Sequence, residues 1–114
     1  MPKLACYGTL KTGQYNHMLI SGARDVTKTP LASGKIKGVI GIEPCTNYPV
    51  ASTNGDDEVF IEIHEVPPEA AAEIAQMEAM YGYHPEAVEL YGHIAVMWCR
   101  QPSNQAKILK DGVF

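Results

Sequence analysis

The sequence predicts an α+β fold: a small, mixed but mainly antiparallel β-barrel, closed on itself, with one or two flanking helices. Three observations carry this expectation. Strand-like runs greatly outnumber helix-like ones, short turns rather than helical crossovers join most of them, and a single long amphipathic segment interrupts the series. At 114 residues the chain has the length of one domain, spanning 1–114. Its 46% hydrophobic and 19% charged residues suit a globular core rather than disorder. No internal repeat, linker or low-complexity segment divides it.

Leu4-Ala5-Cys6-Tyr7 reads as a short buried strand that stops at Gly8, and Gly8 to Gly13 as a loop. Asn16 is placed to cap a short helix through His17, Met18, Leu19 and Ile20, with Gly22 closing it. Pro30 and Gly34 are breaks. Lys35 to Ile42 is the next strand, its glycines Gly38 and Gly41 marking a bulge or close backbone approach. Asn47 to Asp57 is polar and turn-rich, with Asn54-Gly55-Asp56-Asp57 a candidate hairpin tip. Val59 to Val66 alternates, with Val59, Ile61 and Ile63 on one face and Glu62 and His64 on the other, as in a half-buried strand.

Pro67-Pro68-Glu69 opens a helix with a proline and an acid in its first turn. The apolar positions Ala70, Ala71, Ile74, Met77 and Tyr81 recur at helical spacing, and Gly82 and Pro85 end the pattern. Ala87 to Leu90 and Ile94 to Cys99 are strands joined by a tight turn at Tyr91-Gly92-His93. The tail is polar until Ile108 and Leu109 and finishes Gly112-Val113-Phe114.

Composition excludes several classes of function. Net charge is -4, and the nine Lys and Arg are scattered, densest at Lys35-Ile36-Lys37, so no basic face exists for nucleic acid. The start lacks the pattern of a secretory signal, and no apolar run approaches the roughly 20 residues a membrane helix needs. Cys6, Cys45 and Cys99 are odd in number and far apart, which suits reduced thiols in a cytoplasmic protein. His17, His64, His84 and His93 do not approach ligand spacing with each other or with a cysteine, so no metal is expected. Asp56-Asp57-Glu58 lacks the periodicity of a calcium loop.

Two features carry chemistry. A strand running into glycine at Tyr7-Gly8-Thr9-Leu10 exposes successive backbone N–H groups, a concavity suited to carboxylate or phosphate. Glu78 lies about 40° from Ile74 on a helical wheel, at the edge of the apolar stripe. A carboxylate at that boundary either bends out to water or has its pKa raised by desolvation, which suits a general acid or base near neutral pH.

Together these residues resemble a known family. Tyr7-Gly8-Thr9-Leu10-Lys11, then Gly13 and Asn16-His17, resembles the signature Y-G-[ST]-L-x-x-G-x-x-N-H of the γ-glutamylcyclotransferase-like family. Tyr48-Pro49 is similar to its Tyr-Pro turn. Val59 to Val66 occupies the place of its Val-x-Gly-Glu-x-Tyr-x-Val strand, with Glu62 at the Glu and Ile61 at the Gly. Ile74 to Glu78 falls where the family has Leu-Asp-x-x-Glu. Tyr83, Val88 and Leu90 match Tyr-x-Arg-x-x-Val-x-Val, and Ile108 to Phe114 resembles a closing Ile-x-x-Gly-Asp-Trp. The sequence departs at Pro85, where the family usually has Arg, at Ala79, where Gly is common, at His64 for Tyr, and at Ala75 for Asp.

The resemblance implies an enzyme that releases 5-oxoproline from a γ-glutamyl amine or amino acid. The substrate's α-carboxylate and amine would sit against the amides of Gly8, Thr9 and Leu10. Glu78 would be the proton shuttle, and the Tyr7 and Tyr83 hydroxyls would orient the substrate, with core packing the alternative job for Tyr7. The small γ-glutamyl substrate is then the one expected partner, with no metal and no organic cofactor. A module that keeps the pocket but has weak or no catalysis, and binds a small anionic molecule or a protein partner, is the alternative, motivated by Pro85 and Ala79. Nothing in the sequence signals an oligomeric state.

Overall fold

The computed structural model describes residues 2–21 and 29–114. Its elements run β1 (Lys3–Cys6), α1 (Met18–Ser21), β2 (Thr29–Ile42), β3 (Pro49–Glu65), α2 (Pro68–Met80), β4 (His84–Leu90), β5 (His93–Cys99) and β6 (Lys107–Ile108). Six strands form one sheet in the order β4-β5-β1-β3-β2-β6. Only the β1–β5 pair is parallel; the others are antiparallel. The α+β class and the mainly antiparallel sheet match the sequence reading.

Closure does not. The sheet curls until β2 approaches β4 across the core, yet among the described residues no ladder joins the β4 edge to the β6 edge. The inner face of this curl is the larger core, built mainly by strands, and includes Ala5, Tyr7, Ile40, Val59, Ile61, Ile63, Val88 and Met97. The outer face of β1 carries Leu4 and Cys6, which pack with Ile20, Val66, Ala70 and Ile74 under α2. β1 is thus buried on both faces, which is why it reads as an unbroken apolar run. Cys6 and Cys99 are buried and Cys45 is exposed, all three as free thiols.

Several boundaries differ from expectation. β2 runs through Pro30 and Gly34 instead of breaking there. Pro30 pairs with His64 of β3 on one side, and β6 reaches only Gly41 and Ile42 on the other, so Pro30 lies on an edge stretch of β2, where proline is tolerated. Asn54 to Asp57 is not a hairpin tip. β3 continues through it, and the register steps from Gly38↔Asp57 to Val39↔Ser52, extruding Thr53, Asn54, Gly55 and Asp56 as a bulge. A side chain on Gly38 would run into the Ser52 carbonyl there. The true β2–β3 turn is Glu43 to Tyr48, closed by Glu43 N–H to Tyr48 C=O at 3.2 Å, with Asn47 at φ 59°. Tyr91 and Gly92 both take positive φ, the two-residue turn that suits a right-twisted hairpin.

α1 is only four residues long, and the side-chain amide of Asn16 is engaged with Thr9. The closing role expected of Gly22 lies outside the described residues. α2 ends as its glycine predicts. Gly82, at φ 84°, lets Gly82 N–H reach Ala79 C=O (3.1 Å) and Tyr83 N–H reach Glu78 C=O (3.0 Å), the paired bonds of a Schellman cap. Pro85 lies beyond it, exposed on β4 opposite Trp98. Among the described residues no helix is long and apolar enough to cross a membrane.

Candidate functional site

Where β1 ends, the chain leaves the sheet with three amides in succession. Among the described residues, the N–H groups of Gly8, Thr9 and Leu10 donate to no protein acceptor. The loop is nevertheless well tied. Lys11 N–H bonds Gly8 C=O (3.0 Å), Asn16 N–H bonds Thr9 C=O (3.0 Å), and Asn16 Nδ2 donates to Thr9 Oγ1 (3.0 Å). His17 Nδ1 lies 2.8 Å from Leu10 C=O, and Thr12 N–H donates to Glu62 Oε1 at 2.9 Å. Carbonyls and flanking amides are satisfied, so the three open donors form a fixed electropositive concavity.

That loop, the last turn of α2 and the Tyr48-Pro49 turn surround a cavity of about 240 Å³. All six residues singled out from the sequence line it: Tyr7, Gly8, Thr9, Leu10, Glu78 and Tyr83. Their juxtaposition rests on a chain of contacts. The Schellman cap fixes Tyr83 to Glu78, the Tyr83 hydroxyl donates to Pro49 C=O at 2.8 Å, and the Pro49 ring lies against Gly8. A Cβ on Gly8 would stand 2.5 Å from Pro49 Cγ, so only glycine lets the loop approach this turn.

Glu78 is partly buried, and among the described residues no hydrogen bond or ion pair reaches its carboxylate. Burial pushes its pKa up to about 7, because desolvation penalises the charged form. Its place in the last turn of α2, at the negative end of the helix dipole, works in the same direction. Burial, with Glu78 nearby, pushes the Tyr83 hydroxyl up to about 12. Tyr7 is buried in the core, and its hydroxyl donates to Trp98 C=O at 2.8 Å, so its proton is already engaged within the protein. Cys6 borders the cavity, but burial and then the charges of Glu62 and Glu78 push its thiol up to about 12, which removes it as a thiolate nucleophile.

Among the described residues no Lys, Arg or His side chain lines the cavity. The nearest lysine in sequence, Lys11, is buried with Nζ donating to the backbone oxygen of Phe114 at 2.8 Å and lying over the Phe60 ring. An anion here would therefore meet backbone amides rather than a cationic side chain. Among the described residues no group of three or more His, Cys, Asp or Glu is placed to hold a metal ion. Tyr15, Tyr81 and Trp98 also line the cavity, and the sequence reading gave none of them a site role. Tyr81 was assigned to the apolar stripe of α2, and nothing local marks Tyr15 or Trp98.

The sequence profile of the family described as "Gamma-glutamyl cyclotransferase, AIG2-like" matches residues 4–113. The chain belongs to this family. Solved structures similar to this AIG2-like chain include an uncharacterised protein from Pyrococcus horikoshii, with TM-score 0.83 and 25% identity over 100% of this chain and 90% of that one. An AIG2-like protein from Mus musculus aligns with TM-score 0.74 and 20% identity, covering 88% of this chain and 77% of the other. Protein ytfP from Escherichia coli gives TM-score 0.68 and 19% identity over 98% and 95%. The likeness to these last two is one of fold. No curated protein sequence matches this AIG2-like chain.

Proposed function

We propose that this chain is a γ-glutamyl cyclotransferase that releases 5-oxoproline from a γ-glutamyl amine or amino acid, with Glu78 as the proton shuttle. The observation that carries this reading is one cavity shared by three open backbone donors and a carboxylate whose pKa lies near 7. The substrate's α-carboxylate accepts from the N–H groups of Gly8, Thr9 and Leu10, charge-assisted bonds that need no lysine. Held there, the α-ammonium faces Glu78, which takes one proton. The freed amine attacks the γ-carbonyl carbon, closing the five-membered ring. The bond from that carbon to the leaving nitrogen breaks as Glu78 returns the proton to it, and the second proton that the ring nitrogen must shed passes to the departing amine, which leaves as an ammonium ion. Atoms balance without water, metal or organic cofactor.

The magnitudes suit this division of labour. Holding both reacting ends of one molecule in a near-attack geometry can supply about 7–11 kcal/mol of the barrier. A proton shuttle supplies about 10²- to 10⁴-fold more, and does so best with a pKa near the working pH. The departures at Pro85 and Ala79 do not line the cavity, so they leave its chemistry in place. Among the described residues no cation lines the cavity, which favours a leaving group without its own carboxylate, hence an amine over an amino acid.

Incubation with γ-glutamyl amines and dipeptides, followed by assay of 5-oxoproline, tests the reading. Release by the native chain and its loss in Glu78→Gln is the expected result. Turnover that survives Glu78→Gln overturns the mechanism. A ligand that stabilises the protein but is recovered intact would instead make it a binding module.

A further inference from the structure

The cyclotransferase reading uses the floor of the cavity and leaves its mouth unassigned. Tyr15, Tyr48 and Tyr81 line the cavity and are also 62%, 41% and 56% exposed, so they form its rim, whereas Tyr7 and Gly8 are buried at its floor. These three come from the loop before α1, the β2–β3 turn and the C-cap of α2, so three separate segments bring an aromatic ring to one opening. Tyr15 and Tyr48 lie close enough for their hydroxyls to interact. Trp98 continues the aromatic lining inward from β5. Beyond Met77, which it shares with the cavity, a second depression is walled by Leu19, Glu73 and Ile74.

We propose that the tyrosine rim is the leaving-group subsite and that Tyr15, Tyr48 and Tyr81 select a γ-glutamyl derivative of an aromatic amine. The inference rests on the cyclotransferase reading, and its geometry follows from it. With the α-carboxylate on the floor amides and the α-amine at Glu78, the substituent on the γ-carbonyl points away from the floor and meets the rim. Tyrosine gives large contact area at small entropic cost, and its ring favours offset or edge contact with another ring. A short aliphatic amine would leave those rings in water. A leaving group bearing a carboxylate would bring a second negative charge toward Glu78, with no cationic side chain among the described residues lining the cavity to meet it.

Three γ-glutamyl compounds separate the possibilities: the phenethylamide, the ethylamide and γ-glutamylphenylalanine. The first two differ by the ring, the first and third by a carboxylate. The expected order of kcat/KM for 5-oxoproline release by the full chain puts the phenethylamide roughly tenfold above each of the others. Tyr15→Ala and Tyr81→Ala should each lower the phenethylamide-to-ethylamide ratio, and Tyr15→Phe and Tyr81→Phe should keep it. A ratio of one or less in the native chain, or a ratio unmoved by both alanine variants at unchanged thermal midpoint, overturns the inference while leaving the cyclotransferase reading intact. No release from any of the three overturns both.

Discussion

Two glutamates stand on either side of the Gly8 to Thr12 loop, and their environments set them apart. Glu62, on β3, is largely enclosed and accepts Thr12 N–H at 2.9 Å and meets His64 Nε2 at 3.0 Å. Burial alone would push its pKa up, but these hydrogen bonds outweigh it and hold the carboxyl below its ordinary range. Glu78, across the loop on α2, is also withdrawn from water, but among the described residues no donor reaches it, and its pKa rises to about 7. Partial burial is common to both; partners are not. Donors make the one carboxylate a brace for the backbone, and their absence leaves the other able to hold a proton near neutral pH.

The sharpest way to break this contrast is to remove each charge in turn. Glu78→Gln should lower kcat for 5-oxoproline release by about 10²- to 10⁴-fold, as expected for loss of a general acid-base. It should not lower the thermal midpoint. Glu62→Gln keeps an acceptor oxygen for Thr12 N–H, so its activity should stay well above that of Glu78→Gln. Steady-state kinetics on both variants checks the pair, and equal losses would mean that the two carboxylates share one role.

The loop between them is the next target. Gly8→Ala puts a Cβ 2.5 Å from Pro49 Cγ, and a proline ring has little freedom to yield. The amides must then shift relative to the turn that Tyr83 holds, and a displacement near 1 Å can cost about 10²-fold in rate. We expect kcat/KM to fall by roughly that factor with the fold retained by circular dichroism. Activity close to native would show that the amides need no fixed distance from Glu78.

How much of this was readable in advance follows from which forces are local. The strand into Gly8, the helix start at Pro67-Pro68-Glu69 and its glycine stop are set by neighbours in sequence, and each was placed correctly within a few residues. The pairing of the loop with Glu78 came from ordered motifs across the whole chain rather than from any single one. What escaped is what distant segments decide. Asn54 to Asp57 has the composition of a turn, but the ladder to β2 carries β3 through it as a bulge. Asn16 has the chemistry of a helix cap, yet its side-chain amide binds Thr9. Glu62 looked like the polar face of an alternating strand, because Thr12, its partner across fifty residues, leaves no mark nearby.

Removing the brace itself should cost stability before activity. Glu62→Ala strips Thr12 N–H and His64 Nε2 of the acceptor seen here. Thr12 is exposed, so water takes up its N–H; His64 is buried, and loss of its bond costs about 1–3 kcal/mol. Denaturant unfolding should report that loss, accompanied by a rise in KM larger than any fall in kcat, as the loop loosens. A variant as stable as the native chain would show that Glu62 braces nothing.

The smallest effect tests both carboxylates at once, through pH. Glu78 has a folded pKa raised from 4.5 to about 7, so the folded state holds its proton more tightly than the unfolded chain does. Its contribution to stability is therefore complete below the unfolded pKa and fades as pH rises through about 7. Glu62 has the opposite sign: its folded pKa is lowered, and its contribution is present above the unfolded pKa and lost as pH falls through the folded value. Because Glu78 is partly exposed and screened by water, we expect only about 1 kcal/mol from it. Glu78→Gln should thus be slightly more stable than the native chain at pH 8 and no more stable near pH 4, while Glu62→Gln should be less stable at pH 8, by a margin that shrinks in acid. Native activity should climb through a limb near pH 7 that belongs to Glu78. Stability curves whose differences share one sign across this range would mean that enclosure alone, and not the donors around each carboxylate, governs the pair.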